Sequence, residues 1–143
     1  MIDHWKVGEK TRQTNRQKWA TECLKHLVKQ YGEWIDRPKN ATTRVVDIYM
    51  AGDYKYAKQV CRMYCEETPF CFSLTKVDYV YHGGEEEGFK VTLINYPRFP
   101  SEHDALEKHA IAVSRVLAET LHQGSYTIVS NKLSKFYTRR IGD

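Results

Sequence analysis

FCFSLTKVDYVYHGGEEEGFKVTLIN, residues 70–95, is the stretch on which the fold class turns. Phe70, Phe72 and Leu74 alternate with Cys71, Ser73 and Thr75, and the alternation continues through Val77, Tyr79 and Tyr81. Apolar side chains at every second position give a strand one face for a core and one for water. His82-Gly83-Gly84 opens a glycine-rich turn that ends at Gly88 after three consecutive glutamates, and Phe89, Val91 and Leu93 then alternate again. Residues 77–96 therefore read as a β-hairpin whose tip is acidic and solvated.

Upstream, Val45, Val46, Ile48, Tyr49 and Met50 form a short strand closed by Ala51-Gly52-Asp53. Asp53 is placed to cap a helix from Tyr54 to about Cys65 that buries Ala57, Val60, Cys61 and Tyr64. Downstream, Pro97 and Pro100 hold the run Asn95-Tyr96-Pro97-Arg98-Phe99-Pro100 out of regular structure. Ser101 with Asp104 has the spacing of a capping box, and a helix follows to about His122. It buries Leu106, Ala110, Val113, Val116, Leu117 and Leu121, with Gly124 as its C-terminal cap. Tyr126, Ile128 and Phe136 belong to closing strands around an Asn131-Lys132 turn. The expected class is α+β: a small antiparallel sheet flanked by two helices, in a ligand-binding body spanning 44–143.

Residues 1–43 read as a basic helical extension. Trp19, Cys23, Leu27, Val28, Tyr31, Trp34 and Ile35 recur at helical spacing over 15–35, with Asn15 as cap, Gly32 weakening the last turn and Pro38 ending it. A polar leader precedes this helix, mobile or ordered only by a partner, and Arg37 to Thr43 is a polar linker.

The 143 residues are 41% hydrophobic and 28% charged, an ordinary globular composition that excludes global disorder and a disulfide scaffold. No apolar run reaches the roughly 20 residues that span a bilayer, and no signal peptide is evident. The formal charge of +4 is unevenly placed. Residues 1–44 hold 10 Lys/Arg against 5 Asp/Glu, and residues 45–143 hold 12 against 13. A near-neutral body argues against a broad polyanion surface there, so a nucleic-acid-binding role falls to the basic N-terminal helix.

Cys61 and Cys65 share a helix face and could share a metal, but no C-x-x-C and no supporting His pair accompany them. Core thiols in a reducing compartment are the favoured reading, with no metal and no cofactor. No Ser–His–Asp or Cys–His set stands out, and Glu85–Glu87 on a mobile tip are a poor acid/base pair. The expectation is a protein that binds without catalysis.

Two groups suit an anionic ligand. The proline-bracketed run supplies Asn95, Arg98, Tyr96 and Phe99, an amide and a guanidinium beside two aromatic rings. The other is cationic: Arg62, Arg115, Lys132, Lys135, Arg139 and Arg140. A stiff connection and solvated charges explain the same residues without a ligand.

From about Val46 to Arg140 the chain resembles the Thoeris anti-defence family of phage proteins, which sequester cyclic ADP-ribose signals made by bacterial TIR proteins. The resemblance rests on Ala51-Gly52-Asp53, Cys61-Arg62, the Cys71 strand, Tyr79-Val80-Tyr81 before Gly83-Gly84, and Leu93 to Pro100. It implies a sponge for a cyclic nucleotide immune signal, a cyclic ADP-ribose isomer or a cyclic oligonucleotide, in the host cytoplasm. It further implies a homodimer or larger homo-oligomer with pockets between protomers. The implied ligand-binding residues are Asn95, Arg98 and Arg115, an aromatic ring from Tyr79 or Tyr81, and Arg139 or Arg140.

Overall fold

The computed structural model describes residues 4–34, 38–102 and 104–143, and the side chains from residue 14 onward within them. It divides into two units, residues 1–38 and 39–143.

The first unit is one helix, α1 (His4–Tyr31). It begins well before Asn15, so Asn15 is a mid-helix residue and not a cap, and the leader expected to be mobile is helical from His4 onward. That leader carries Lys6, Glu9, Lys10, Arg12 and Gln13, residue types that lose little freedom in a helix. Gly32 ends it with φ +91°, its N–H donating to the Val28 carbonyl at 2.7 Å, the left-handed cap a glycine takes without strain. Ile35 and Arg37, part of the expected helix and linker, lie outside the described residues.

The second unit runs β1 (Val45–Ala51), α2 (Tyr54–Glu67), β2 (Ser73–Tyr81), β3 (Gly84–Ile94), α3 (Ala105–Thr120), β4 (Ser125–Val129) and β5 (Ser134–Thr138). One antiparallel sheet has the order β2-β3-β1-β4-β5. Its first six elements are the split β-α-β arrangement of ferredoxin-like folds, with β5 added at the edge. The fold is α+β with an open sheet, as the alternation in the sequence required.

Pleating explains the layers. Val46, Ile48 and Met50 of β1, Phe89, Val91 and Leu93 of β3, and Tyr126 and Ile128 of β4 share one buried face. Ala57, Val60 and Cys61 of α2 and Leu106, Ala110, Val113 and Leu117 of α3 complete that core. Asp53 caps α2 as expected, its carboxylate accepting from the Tyr56 N–H at 2.9 Å. The opposite face carries Asp47, Tyr49, Tyr79, Glu86, Lys90, Thr92, Thr127 and Phe136, and neither α2 nor α3 covers it.

Several local expectations change. The turn after Tyr81 is only His82-Gly83, with Gly83 at φ +91°, and Glu85–Glu87 lie inside β3, paired with Val80, Tyr79 and Asp78. Glutamate is a poor strand former, but ladder pairing along β2 outweighs that small preference. Phe70 and Phe72 precede β2 instead of belonging to it. The Ser101–Asp104 box does not form: α3 begins at Ala105, and the Ser101 N–H donates to Asn95 Oδ1 at 2.8 Å. His122, at φ +56°, takes the left-handed position expected of Gly124 after α3. Val116, expected in the core, is 42% exposed.

Candidate functional site

Strand register gathers side chains at the end of the open face where β1 finishes and β4 begins. Tyr49 pairs with Thr127, Thr127 with Phe136, and Tyr79 with Glu86, so β1, β4, β5, β2 and β3 each present one residue. With Gln123, Ser125 and Arg140 these line a cleft of about 270 Å³.

Tyr79 is fixed before any ligand arrives. Its hydroxyl donates to the Phe89 carbonyl at 2.9 Å, and the Met50 carbonyl lies 3.4 Å away. Burial pushes the phenol above its ordinary value, and the charge on Glu86 adds to the shift. Tyr79 is thus a neutral wall whose hydroxyl is committed to backbone, not an acid at neutral pH. Arg140 is committed too: Nη2 donates to Ser125 Oγ at 2.7 Å and Nε lies 2.8 Å from the Asp143 carboxylate. That leaves Glu86 as the charged wall residue, with Phe136 (57% exposed) and Tyr49 as available ring faces.

A second cleft, about 230 Å³, adjoins the first at Gln123, Gly124 and Tyr126. Arg115 hydrogen-bonds to Tyr126, which raises the guanidinium pKa further. Arg139 Nη2 lies 2.9 Å from Glu119 Oε1, and Tyr126 and Tyr137 stack at 5.2 Å with 16° between planes.

The structure separates the residues that the sequence reading joined. Tyr79 and Arg140 line the first cleft, and Arg115 and Arg139 the second. Tyr81 stands over Gly84 at the β2–β3 turn. Arg62 is on α2 beside Glu66, lining a groove with Cys61, Cys65 and Phe72. Asn95 and Arg98 lie beyond the other end of β3, because Ile94 pairs with Val45 whereas Gly88 pairs with Ala51. Six residues of strand separate those ends, about 20 Å.

Asn95 also has other work. It is 8% exposed, its amide donates to the Thr42 carbonyl at 2.8 Å, and its Oδ1 accepts from Ser101. It staples the chain before β1 to the chain before α3.

Glu86, Tyr49, Phe136, Gln123 and Ser125 also line the first cleft and were not singled out from the sequence. The signal for Glu86 was available: ladder pairing of Tyr81 with Gly84 leaves a two-residue turn and puts the glutamates in register. No such signal existed for Phe136, whose face depends on how β5 pairs with β4.

No family model and no curated protein matches the chain. Among solved structures, a phage SAM lyase in complex with S-methyl-5'-thioadenosine matches with a TM-score of 0.55 at 10% identity. The match covers 78% of this chain and 100% of that one. At this identity the likeness shows a shared fold. It nevertheless overturns the expectation of a protein that is not an enzyme, because the fold is one on which an enzyme is built. Membership of the Thoeris anti-defence family is not among the findings. No helix among the described residues is long and apolar enough to cross a membrane.

Proposed function

We propose that the chain is an enzyme acting on adenosine-containing small molecules, and that its first cleft takes an adenosyl sulfonium of the S-adenosylmethionine class for carbon–sulfur bond cleavage. The observation that carries this reading is Glu86 among Tyr49, Tyr79 and Phe136 on the open sheet face. Adenine stacks on an aromatic ring for about 1–3 kcal/mol. A sulfonium has no N–H to donate, so ring faces suit it better than hydrogen-bond acceptors. The substrate's ammonium group pairs with the Glu86 carboxylate.

The chemistry needs no external nucleophile. The substrate carboxylate attacks its own γ-carbon, the bond from that carbon to sulfur breaks, and the electron pair stays on sulfur. The products are a thioether, S-methyl-5'-thioadenosine, and a five-membered lactone. Carboxylate and sulfonium charges cancel along this path, so a site poor in water favours the transition state over the ground state. Glu86 serves by holding the ammonium, whose charge persists throughout. An arginine gripping the carboxylate would weaken the nucleophile, and Arg140 is occupied by Asp143 and Ser125.

Calorimetry with two ligands tests this assignment. Glu86→Gln is expected to weaken S-adenosylmethionine at least about tenfold, which corresponds to losing one charge-assisted pair. Binding of S-methyl-5'-thioadenosine, which lacks the ammonium, is expected to stay unchanged. Equal losses for both ligands would refute the role given to Glu86.

A second reading draws on the adjoining cleft. Arg115 and Arg139 beside the Tyr126–Tyr137 stack suit a pyrophosphate next to a base, as in capture of a cyclic ADP-ribose signal by an anti-defence protein. A ligand panel decides: binding of cyclic ADP-ribose isomers alone, abolished by Arg115→Ala, favours that reading over the first.

A further inference from the structure

Helix α1 cannot bury its own apolar side chains. Trp19 is 71% exposed and Tyr31 76% exposed, and an isolated helix gains most of its stability from packing such a face. Ala20, Leu24, Leu27 and Tyr31 follow one another at spacings of four, three and four, the seam of a coiled coil. The flanking positions are Thr21, Cys23, Val28 and Gln30, without a charge among them. At 100° per residue, the apolar side chains from Trp19 to Tyr31 occupy half the circumference. Lys18, Lys25 and Lys29 cluster around the centre of the opposite half.

We propose that this face packs against the same face of α1 in other copies of the chain, in a bundle of three or more helices. The charge pattern selects this occupant. Over this stretch, like helices meeting at the seam keep Lys18, Lys25 and Lys29 away from one another, and these three lie on the outward half. A helix lying on a lipid surface places lysines along the borders of its apolar face, where their stems reach the headgroups, and here Lys18, Lys25 and Lys29 are diametrically opposite. A nucleic acid on the lysine face leaves the apolar half uncovered. The width of the face sets the number: a two-helix seam covers a narrow stripe, whereas half a circumference needs neighbours on two sides.

The test is the mass of the nuclease-treated full chain by sedimentation or light scattering. One chain is 16.8 kDa, and the expected particle has at least three times that mass. The double variant Leu24→Glu/Leu27→Glu is expected to fall to a smaller particle with the near-ultraviolet circular dichroism of residues 39–143 intact. Lys25→Glu/Lys29→Glu is expected to keep the wild-type mass. A wild-type mass of one or two chains overturns the proposal. So does a seam variant of unchanged mass, or dissociation by the lysine variant.

Discussion

Tyr79 lies across Gly88 so closely that a β-carbon on that glycine would collide with the ring's Cε2 and with the Met50 carbonyl oxygen. It would also stand 2.9 Å from the Ala51 Cα, all on parts of the fold that cannot swing aside. The missing side chain lets Tyr79 cross β3 and reach the Phe89 carbonyl, which shapes one wall of the first cleft. Gly88→Ala is therefore expected to destabilise the fold by about 2–3 kcal/mol, as overpacking does. A thermal melt reads that as a drop of roughly 10 °C or more in Tm.

Tyr79→Phe separates the ring from its hydroxyl. Losing the bond to Phe89 leaves that carbonyl in the β1–β3 ladder and costs about 1 kcal/mol, visible in denaturant unfolding. Because the hydroxyl faces backbone, ligand affinity is expected to stay within about twofold, a difference of about 0.4 kcal/mol. A large loss of affinity would show that the hydroxyl reaches the ligand.

Asn95 and Arg98 make a paired comparison. Asn95→Ala removes two hydrogen bonds from a nearly buried amide and leaves the Thr42 carbonyl and the Ser101 N–H unmatched. The expected cost is about 2–3 kcal/mol in unfolding experiments. Arg98 is exposed, and Arg98→Ala is expected to change stability by less than about 0.5 kcal/mol. Loss of binding with Arg98→Ala in an intact fold would move the site to the other end of the sheet.

The cysteines are free, and their surroundings differ. Burial pushes the Cys61 thiol up to about 12, from an ordinary 9.0, with a further push from Cys65. Since only the thiolate reacts, native labelling at pH 8 is expected at exposed Cys71 and not at Cys61. The folded state keeps the Cys61 proton where the unfolded state releases it. That contribution to stability is whole below pH 9 and is lost as the pH rises towards 12. Cys61→Ala is expected to flatten the fall of Tm over that interval.

Much of the fold was legible because two-residue alternation and capping are local. Val46, Ile48 and Met50 declared their buried face, as did Phe89, Val91 and Leu93, and Asp53 declared the start of α2. The candidate cleft was not legible, because it depends on which strand ends share an edge of the sheet. Asn95 and Arg139 both looked like ligand contacts, yet β1–β3 and β1–β4 register places them at opposite ends. The three glutamates looked like a loop because their own preference is weak, and only pairing with Val80, Tyr79 and Asp78 makes them strand. The start of α1 was misplaced for a related reason: Asn15 has the chemistry of a cap, but nothing upstream interrupts the helix.

Incubation with S-adenosylmethionine followed by chromatography and mass spectrometry tests the central claim most directly. The wild-type chain is expected to generate S-methyl-5'-thioadenosine together with a lactone, above a control without protein. With Glu86→Gln, at substrate below saturation, the rate is expected to drop at least about tenfold, the share of one charge-assisted pair in transition-state binding. Recovery of unaltered S-adenosylmethionine from the wild-type protein, or a product rate indifferent to Glu86→Gln, would contradict it.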